Sequence, residues 1–135
     1  ARAISASFAA NTTTNGTPHG WLGQHGLATN DIGALYEDGD GMPAWQEYVA
    51  DTDPTNPASV LRLLGISNLP PIEVSFPCSS NRQYTLEFST NLNQDSWTNL
   101  PDQTDIRGSG GTNTLFDTNA PAPPRFYRIG VELIP

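Results

Sequence analysis

Beyond Ser59 the chain alternates apolar and polar residues with a period of two, and this pattern constrains the fold more than any other feature. Because successive side chains of a β-strand point to opposite faces of the sheet, such alternation predicts half-buried strands. Glycine, proline, asparagine and serine separate the segments, which is typical of tight turns. We therefore predict a mainly β fold with a small α part, its strands forming an antiparallel β-sandwich. The predicted strands are Val60–Ile66, Ile72–Phe76, Gln83–Ser89, Ser96–Leu100, Asn113–Asp117 and Arg125–Leu133.

Residues 1–57 lack this alternation, apart from a loose one over residues 3–9 that predicts a short strand. Thr17 followed by Pro18 is typical of an N-cap before a proline at the first helical position, so a short helix is expected there. A more regular helix is expected to begin at Pro43, because apolar residues follow at positions i, i+3 and i+4. These residues are Trp45, Tyr48 and Val49.

The change of period divides the chain into two predicted parts. We expect a helical unit over residues 1–57 and a small β-sandwich of the fibronectin or immunoglobulin-like kind over residues 58–135. We also expect the two parts to pack as one compact module. The first part has few apolar residues for a core of its own, so its stability has to draw on something besides hydrophobic burial.

Acidic residues are concentrated in the helical part. The chain has 14 acidic and six basic residues, a formal net charge of -8, and every basic residue is an arginine. Seven of the acids fall between Asp31 and Asp53, while no arginine lies between Arg2 and Arg62. This balance argues against nucleic acid or membrane as a partner, and no apolar run reaches the roughly 20 residues that span a bilayer. The acidic stretch is either a solvated face or a site whose cation supplies the missing positive charge.

The acids between Asp38 and Glu47 follow the ligand spacing of an EF-hand-type calcium loop. Such a loop takes ligands from positions 1, 3, 5, 7 and 12 and has glycine at position 6 for a sharp turn. With Gly41 at position 6, Asp38 and Asp40 occupy positions 3 and 5. The Met42 carbonyl then occupies position 7, and Glu47 occupies position 12. Calcium takes six to eight oxygen ligands, so carboxylates and a backbone carbonyl suit it.

Position 1 of the loop departs from this pattern, because Tyr36 stands where an aspartate is expected. Glu37 adjoins it but is one residue out of register. We expect Glu37, Asp31 or a water molecule to fill this place among the metal ligands, or else a reduced affinity for calcium.

The segment from Asp38 to Tyr48, with Thr52–Pro57 after it, resembles the calcium-binding thrombospondin type 3-like repeat of secreted bacterial proteins. Related EF-hand-like loops occur in dockerins and in the double-calcium site of binary-toxin translocation components. The resemblance implies that the protein binds one or two Ca²⁺ ions. In the double site it implies that the acids at positions 3, 5 and 12, here Asp38, Asp40 and Glu47, bridge the ions. Asp53 would then serve the second ion.

A wider resemblance covers nearly the whole chain. The chain is similar to a C-terminal accessory module of large secreted bacterial proteins, which implies a secreted or cell-surface location. It also implies that the domains of a parent enzyme precede this module. The segments that carry the resemblance are Gly16–Leu22, Tyr84–Leu92, Trp97 and Arg125–Ile129.

No set of catalytic residues stands out in the sequence. His19 and His25 lie near glycines without a matching serine or cysteine motif, and Cys78, the single cysteine, lies in a predicted turn. We therefore expect a non-catalytic protein rather than an enzyme. The leading hypothesis is a carbohydrate-binding module appended to a polysaccharide-active enzyme. The alternative is a structural, adhesive or secretion-related module that binds no glycan.

Aromatic residues of the β part are the candidates for contacting a polysaccharide, because aromatic rings pack on the faces of sugar rings. We assign this role to Trp97, Tyr84 and Tyr127, with Phe116 and Phe126 as further candidates. The competing interpretation is that strand alternation places most of these rings in the core. The net negative charge favours neutral glycans over acidic ones.

Overall fold

The computed structural model describes residues 11–92, 96–118 and 125–135. The short strand predicted over residues 3–9 lies outside these ranges. The chain forms two compact units. The first contains the residues up to Tyr48 together with Thr52–Val60, and the second contains Val49–Asp51 together with Leu61–Pro135.

Three short helices begin in the first unit, and each contributes one residue to a small core. They are α1 (His19–Gln24), α2 (Asp31–Ala34) and α3 (Ala44–Ala50). The fully buried residues are Leu22, Ala34 and Ala44, with Trp21, Leu27 and Trp45 packed against them. Because two of the three buried side chains are alanines, this core removes little apolar area from water. Within the described ranges no helix is both long enough and apolar enough to cross a membrane.

The helix starts follow the sequence prediction with one correction. α1 begins directly after Pro18 and α3 directly after Pro43. The N-cap role predicted for Thr17 is wrong, because Pro18 itself occupies the cap position of α1. The Thr17 hydroxyl instead donates a hydrogen bond to Asn15 Oδ1 at 2.9 Å, within the preceding turn.

The second unit is built from short strands in two antiparallel sheets, which confirms the mainly β prediction. The first sheet has the order β1-β2-β6, and in the second sheet β3 pairs with β4, β5 and β7. A 3₁₀ turn, Pro101–Gln103, precedes β5. The strands are β1 (Gly65–Ile66), β2 (Ile72–Pro77), β3 (Arg82–Ser89), β4 (Thr98–Asn99), β5 (Ile106–Arg107), β6 (Thr112–Asp117) and β7 (Phe126–Leu133).

Alternate residues of β2, β3 and β6 form the hydrophobic core of this unit, so both sheets contribute to it. Its fully or nearly fully buried members are Val74, Phe76, Tyr84, Leu86 and Leu115. Two of the predicted strands are shorter in the structure. Only Gly65–Ile66 pairs within the predicted Val60–Ile66, and only Thr98–Asn99 pairs within the predicted Ser96–Leu100. Strand β5 was not predicted, because two residues are too few to show an alternation.

Candidate metal centre

Three acidic side chains converge between α2 and α3. Asp38, Asp40 and Glu47 each bring one carboxylate oxygen into a group whose members all lie within 4.8 Å of one another. Asp38 and Asp40 are half-buried, and Glu47 in the first turn of α3 is fully buried. Three carboxylates at this separation repel one another unless a proton or a cation lies among them.

Hydrogen bonds within the loop hold the two aspartates in place. The Asp40 backbone N–H donates to Asp38 Oδ1 at 3.3 Å, and the Met42 N–H donates to Asp40 Oδ1 at 2.7 Å. Gly39 and Gly41 have φ values of 104° and 87°, a left-handed conformation that favours glycine. The loop therefore depends on glycine at both positions, as the EF-hand-like spacing requires at Gly41. These turns use one oxygen of each aspartate and leave the other for a ligand.

The remaining carboxylate oxygens are buried and lack partners. Asp38 Oδ2, Asp40 Oδ2 and Glu47 Oε2 are enclosed atoms with no hydrogen-bond partner. Glu47 Oε1 accepts a hydrogen bond from the Thr52 hydroxyl at 3.3 Å. Buried oxygens that carry negative charge are costly unless a donor or a metal ion compensates them. The group can therefore hold a metal ion.

The pKa values of the group reflect the same crowding. Burial, with the negative charges of Asp40 and Asp38, raises the pKa of Glu47 to about 7. Burial and the neighbouring Asp40 also raise the pKa of Asp38. A bound cation would reverse both effects, because it favours the ionised carboxylates.

Two of the residues expected to fill the first ligand position, Asp31 and Glu37, lie outside the group of three carboxylates. Both Asp31 oxygens accept hydrogen bonds from Thr14, one from its N–H at 2.9 Å and one from its hydroxyl at 2.6 Å. These bonds lower the pKa of Asp31 and hold it at the start of α2. Glu37 is exposed and lies outside the group of three. The Tyr36 carbonyl accepts the Ala44 N–H at 2.8 Å, which closes the loop onto α3.

Asp53, predicted to serve a second ion, also lies outside the group of three. Its Oδ1 accepts hydrogen bonds from the Thr55 N–H at 3.0 Å and the Thr55 hydroxyl at 2.8 Å, and it lies 3.5 Å from His25 Nδ1. The Thr55 bonds and His25 lower the pKa of Asp53. The sequence did not reveal the part played by His25, because a contact across 28 positions leaves no local signal. The ring of His25 also packs 4.6 Å from that of Trp21.

Of the three aromatic residues assigned to contact with a polysaccharide, Tyr84 is buried and Trp97 and Tyr127 are half-buried. The role assigned to Tyr84 is wrong, because this side chain is 1% exposed and its hydroxyl accepts the Ser79 N–H at 2.8 Å within the core. Tyr127 is half-buried and donates to Asp117 Oδ2 at 2.8 Å. Trp97 is half-buried, and the Arg128 guanidinium lies 4.3 Å from its ring centre.

Among the residues that the structure describes, the geometry thus singles out the three carboxylates Asp38, Asp40 and Glu47 as a candidate metal site. All of its ligand atoms are oxygens, and no histidine or cysteine belongs to it. Comparison of the chain with protein families, with curated proteins and with solved structures finds no match.

Proposed function

We propose that this protein is a non-catalytic accessory module stabilised by calcium. The observation that carries the proposal is the fully buried Glu47, whose Oε2 has no partner and lies in one group with unpartnered oxygens of Asp38 and Asp40. Calcium is a hard cation that takes oxygen ligands only, whereas zinc favours histidine and cysteine. The Met42 carbonyl and water molecules supply the remaining ligands.

The role of the ion in this proposal is structural. The core of the first unit rests on Leu22 and two alanines, so hydrophobic burial contributes little to its stability. An ion that binds only the folded chain adds RT ln(1 + [L]/Kd), about 2.7 kcal/mol at a hundredfold excess over Kd. This contribution would be lost where calcium is scarce. A structural role for the ion therefore suits a protein that works outside the cell.

The remaining parts of the proposal follow from the resemblance described above. We propose that the two sheets of the second unit form a sandwich of the fibronectin or immunoglobulin-like kind, since both contribute side chains to one core. We also propose a secreted or cell-surface location and a parent enzyme whose domains precede this chain.

Isothermal titration calorimetry on the chelated protein is expected to show one calcium ion bound per chain. The second ion of a double site would need Asp53, which lies outside the group of three carboxylates and whose Oδ1 already contacts Thr55 and His25. Native mass spectrometry with the Asp53→Asn variant provides the control, which we expect to keep its single ion. Uptake of two ions by the unmodified protein, reduced to one in Asp53→Asn, would contradict the single-ion assignment and support the double site.

We further propose that the module binds neutral carbohydrate. Three arginines of the second unit already face carboxylates, which leaves less positive charge for an acidic polymer: Arg128 with Glu87 at 2.6 Å, Arg125 with Asp117 at 2.8 Å and Arg82 with Asp51 at 4.0 Å. The formal charge of -8 adds a general repulsion of polyanions.

Affinity electrophoresis is expected to show retardation of the protein in gels that contain galactomannan or mixed-linkage glucan, and none in gels that contain polygalacturonate. Low salt is the sharper condition, because screening is weakest there. Bovine serum albumin, run in the same gels, corrects for sieving. Retardation by polygalacturonate alone would reverse the expected preference. Unchanged mobility in every gel would favour the structural or adhesive alternative.

A further inference from the structure

A cavity of about 490 Å³ opens in the second unit, and residues of both sheets line it. Its volume lies within the range of about 300 to 1,000 Å³ that is typical of small-molecule sites. Phe88 of β3 and Phe116 of β6 supply aromatic walls, and Asn99 and Gln103 supply amide groups. None of the residues of the metal centre belongs to this lining.

Phe116 gives the cavity an accessible aromatic side chain. The residue is 39% exposed, although the neighbouring strand residues Leu115 and Asp117 are buried. Its backbone N–H donates to Gln103 Oε1 at 2.9 Å, which ties the 3₁₀ turn to the edge of β6. The wall of the cavity is therefore held in place by a bond that does not depend on the phenyl ring.

The inner wall carries a buried ion pair. Asp117 is 2% exposed, and its Oδ2 accepts hydrogen bonds from Arg125 Nη1 and the Tyr127 hydroxyl, both at 2.8 Å. The guanidinium carbon of Arg125 lies 3.8 Å from the ring centre of Phe88, so the guanidinium is packed on this aromatic wall. Arg125 Nε is buried and has no hydrogen-bond partner. Because this N–H is enclosed, a ligand in the cavity does not reach it, and the ion pair itself forms the wall.

The charges of the lining select the class of ligand. Asp117 neutralises Arg125, and Asp102 adds a second carboxylate to the lining, so the cavity does not favour an anion. Amide, carboxylate and guanidinium groups together offer both donors and acceptors. A ligand that combines hydroxyl groups with apolar C–H faces matches this mixture of polar and aromatic walls.

We propose that this cavity binds a neutral saccharide unit. A C–H face of the sugar packs on Phe116, and its hydroxyls bond to the amides of Asn99 and Gln103. This assignment rests on the carbohydrate-binding role proposed above and places it away from Trp97, Tyr84 and Tyr127.

Calorimetric titration of the calcium-loaded protein with cellohexaose, mannohexaose, xylohexaose and galactohexaose tests the assignment. We expect at least one of these neutral oligosaccharides to bind and Phe116→Ala to weaken its affinity about tenfold or more. The matched control is Leu133→Ala, which shortens a side chain that is 45% exposed on β7 but does not line the cavity. We expect the control variant to bind as the unmodified protein does.

A second pair of variants keeps the test valid if Phe116→Ala melts at a lower temperature. Asn99→Ala changes an exposed residue of the lining, and Asn68→Ala changes an exposed asparagine between β1 and β2 as its control. Only Asn99→Ala is expected to weaken binding. If the protein binds an oligosaccharide and neither lining variant weakens it, the cavity assignment is overturned while the carbohydrate-binding role stands. Absence of binding to all four oligosaccharides would overturn both.

Discussion

Glu47→Gln is expected to abolish the stabilisation that calcium confers and, at the same time, to raise the melting temperature of the metal-free protein above pH 7. Glutamine retains the shape of the buried side chain but removes its negative charge from beside Asp38 and Asp40. Its amide N–H groups can donate to the unpartnered oxygens of those two aspartates. In the metal-free protein the substitution therefore replaces a repulsion with hydrogen bonds.

The same substitution removes the ligand at position 12, which contributes both oxygens to a bound ion in loops of this kind. We expect the affinity for calcium to fall about a hundredfold or more, since calcium affinity depends on ligand charge. A hundredfold excess of calcium over the Kd of the unmodified protein should raise its melting temperature by several degrees and change that of Glu47→Gln only slightly. Differential scanning calorimetry with EDTA and with calcium measures both effects.

Glu37→Gln is the matched control, because Glu37 is an exposed glutamate of the same loop that lies outside the group of three. It should respond to calcium as the unmodified protein does. Equal calcium responses in the unmodified protein and in Glu47→Gln would reject the metal assignment. A lower melting temperature for metal-free Glu47→Gln would show instead that the glutamate is needed for packing.

The sequence predicted those features that depend on local spacing. The ligand positions Asp38, Asp40 and Glu47 could be counted from Gly41, and the structure brings these three carboxylates together. Strands β2, β3 and β7 are six to eight residues long, so their alternation was visible. In each case neighbouring residues in the chain carry the whole signal.

Features that depend on distant contacts did not show in the sequence. The approach of His25 to Asp53 and of Thr14 to Asp31 joins residues 28 and 17 positions apart, and neither pair belongs to a regular pattern. Alternation placed Tyr84 on one face of β3, but only the packing of both sheets shows that this face is the core. Phe116 has the opposite outcome on β6, where its face remains accessible. Alternation therefore shows that a strand has two different faces, but it does not show which of the two is buried in the fold.

In the absence of calcium, the free energy of unfolding is expected to fall as the pH rises from about 4.5 to about 7. The pKa of Glu47 is raised from its ordinary value of 4.5 to about 7 in the folded protein, chiefly by burial and then by Asp40 and Asp38. Between these values the folded chain holds a proton that the unfolded chain has released, so stability decreases with pH. A difference of this size corresponds to about 3 kcal/mol. Asp31 and Asp53 have lowered pKa values, so they add stability that is lost only as the pH falls through about 3.8.

Calcium should reverse the pH dependence over this range, because the ion binds the ionised carboxylates and competes with the proton. Urea unfolding of the chelated protein at pH 4.5, 5.5, 6.5 and 7.5 measures the fall, and the same series with saturating calcium measures its disappearance. Glu47→Gln, which cannot ionise at this position, should show a much flatter profile without calcium. A metal-free profile that is level or rises over this range would contradict the placement of an ionisable Glu47 among Asp38 and Asp40. The free energy of unfolding that calcium adds is therefore expected to grow with pH. It is largest at the pH values where all three carboxylates are charged.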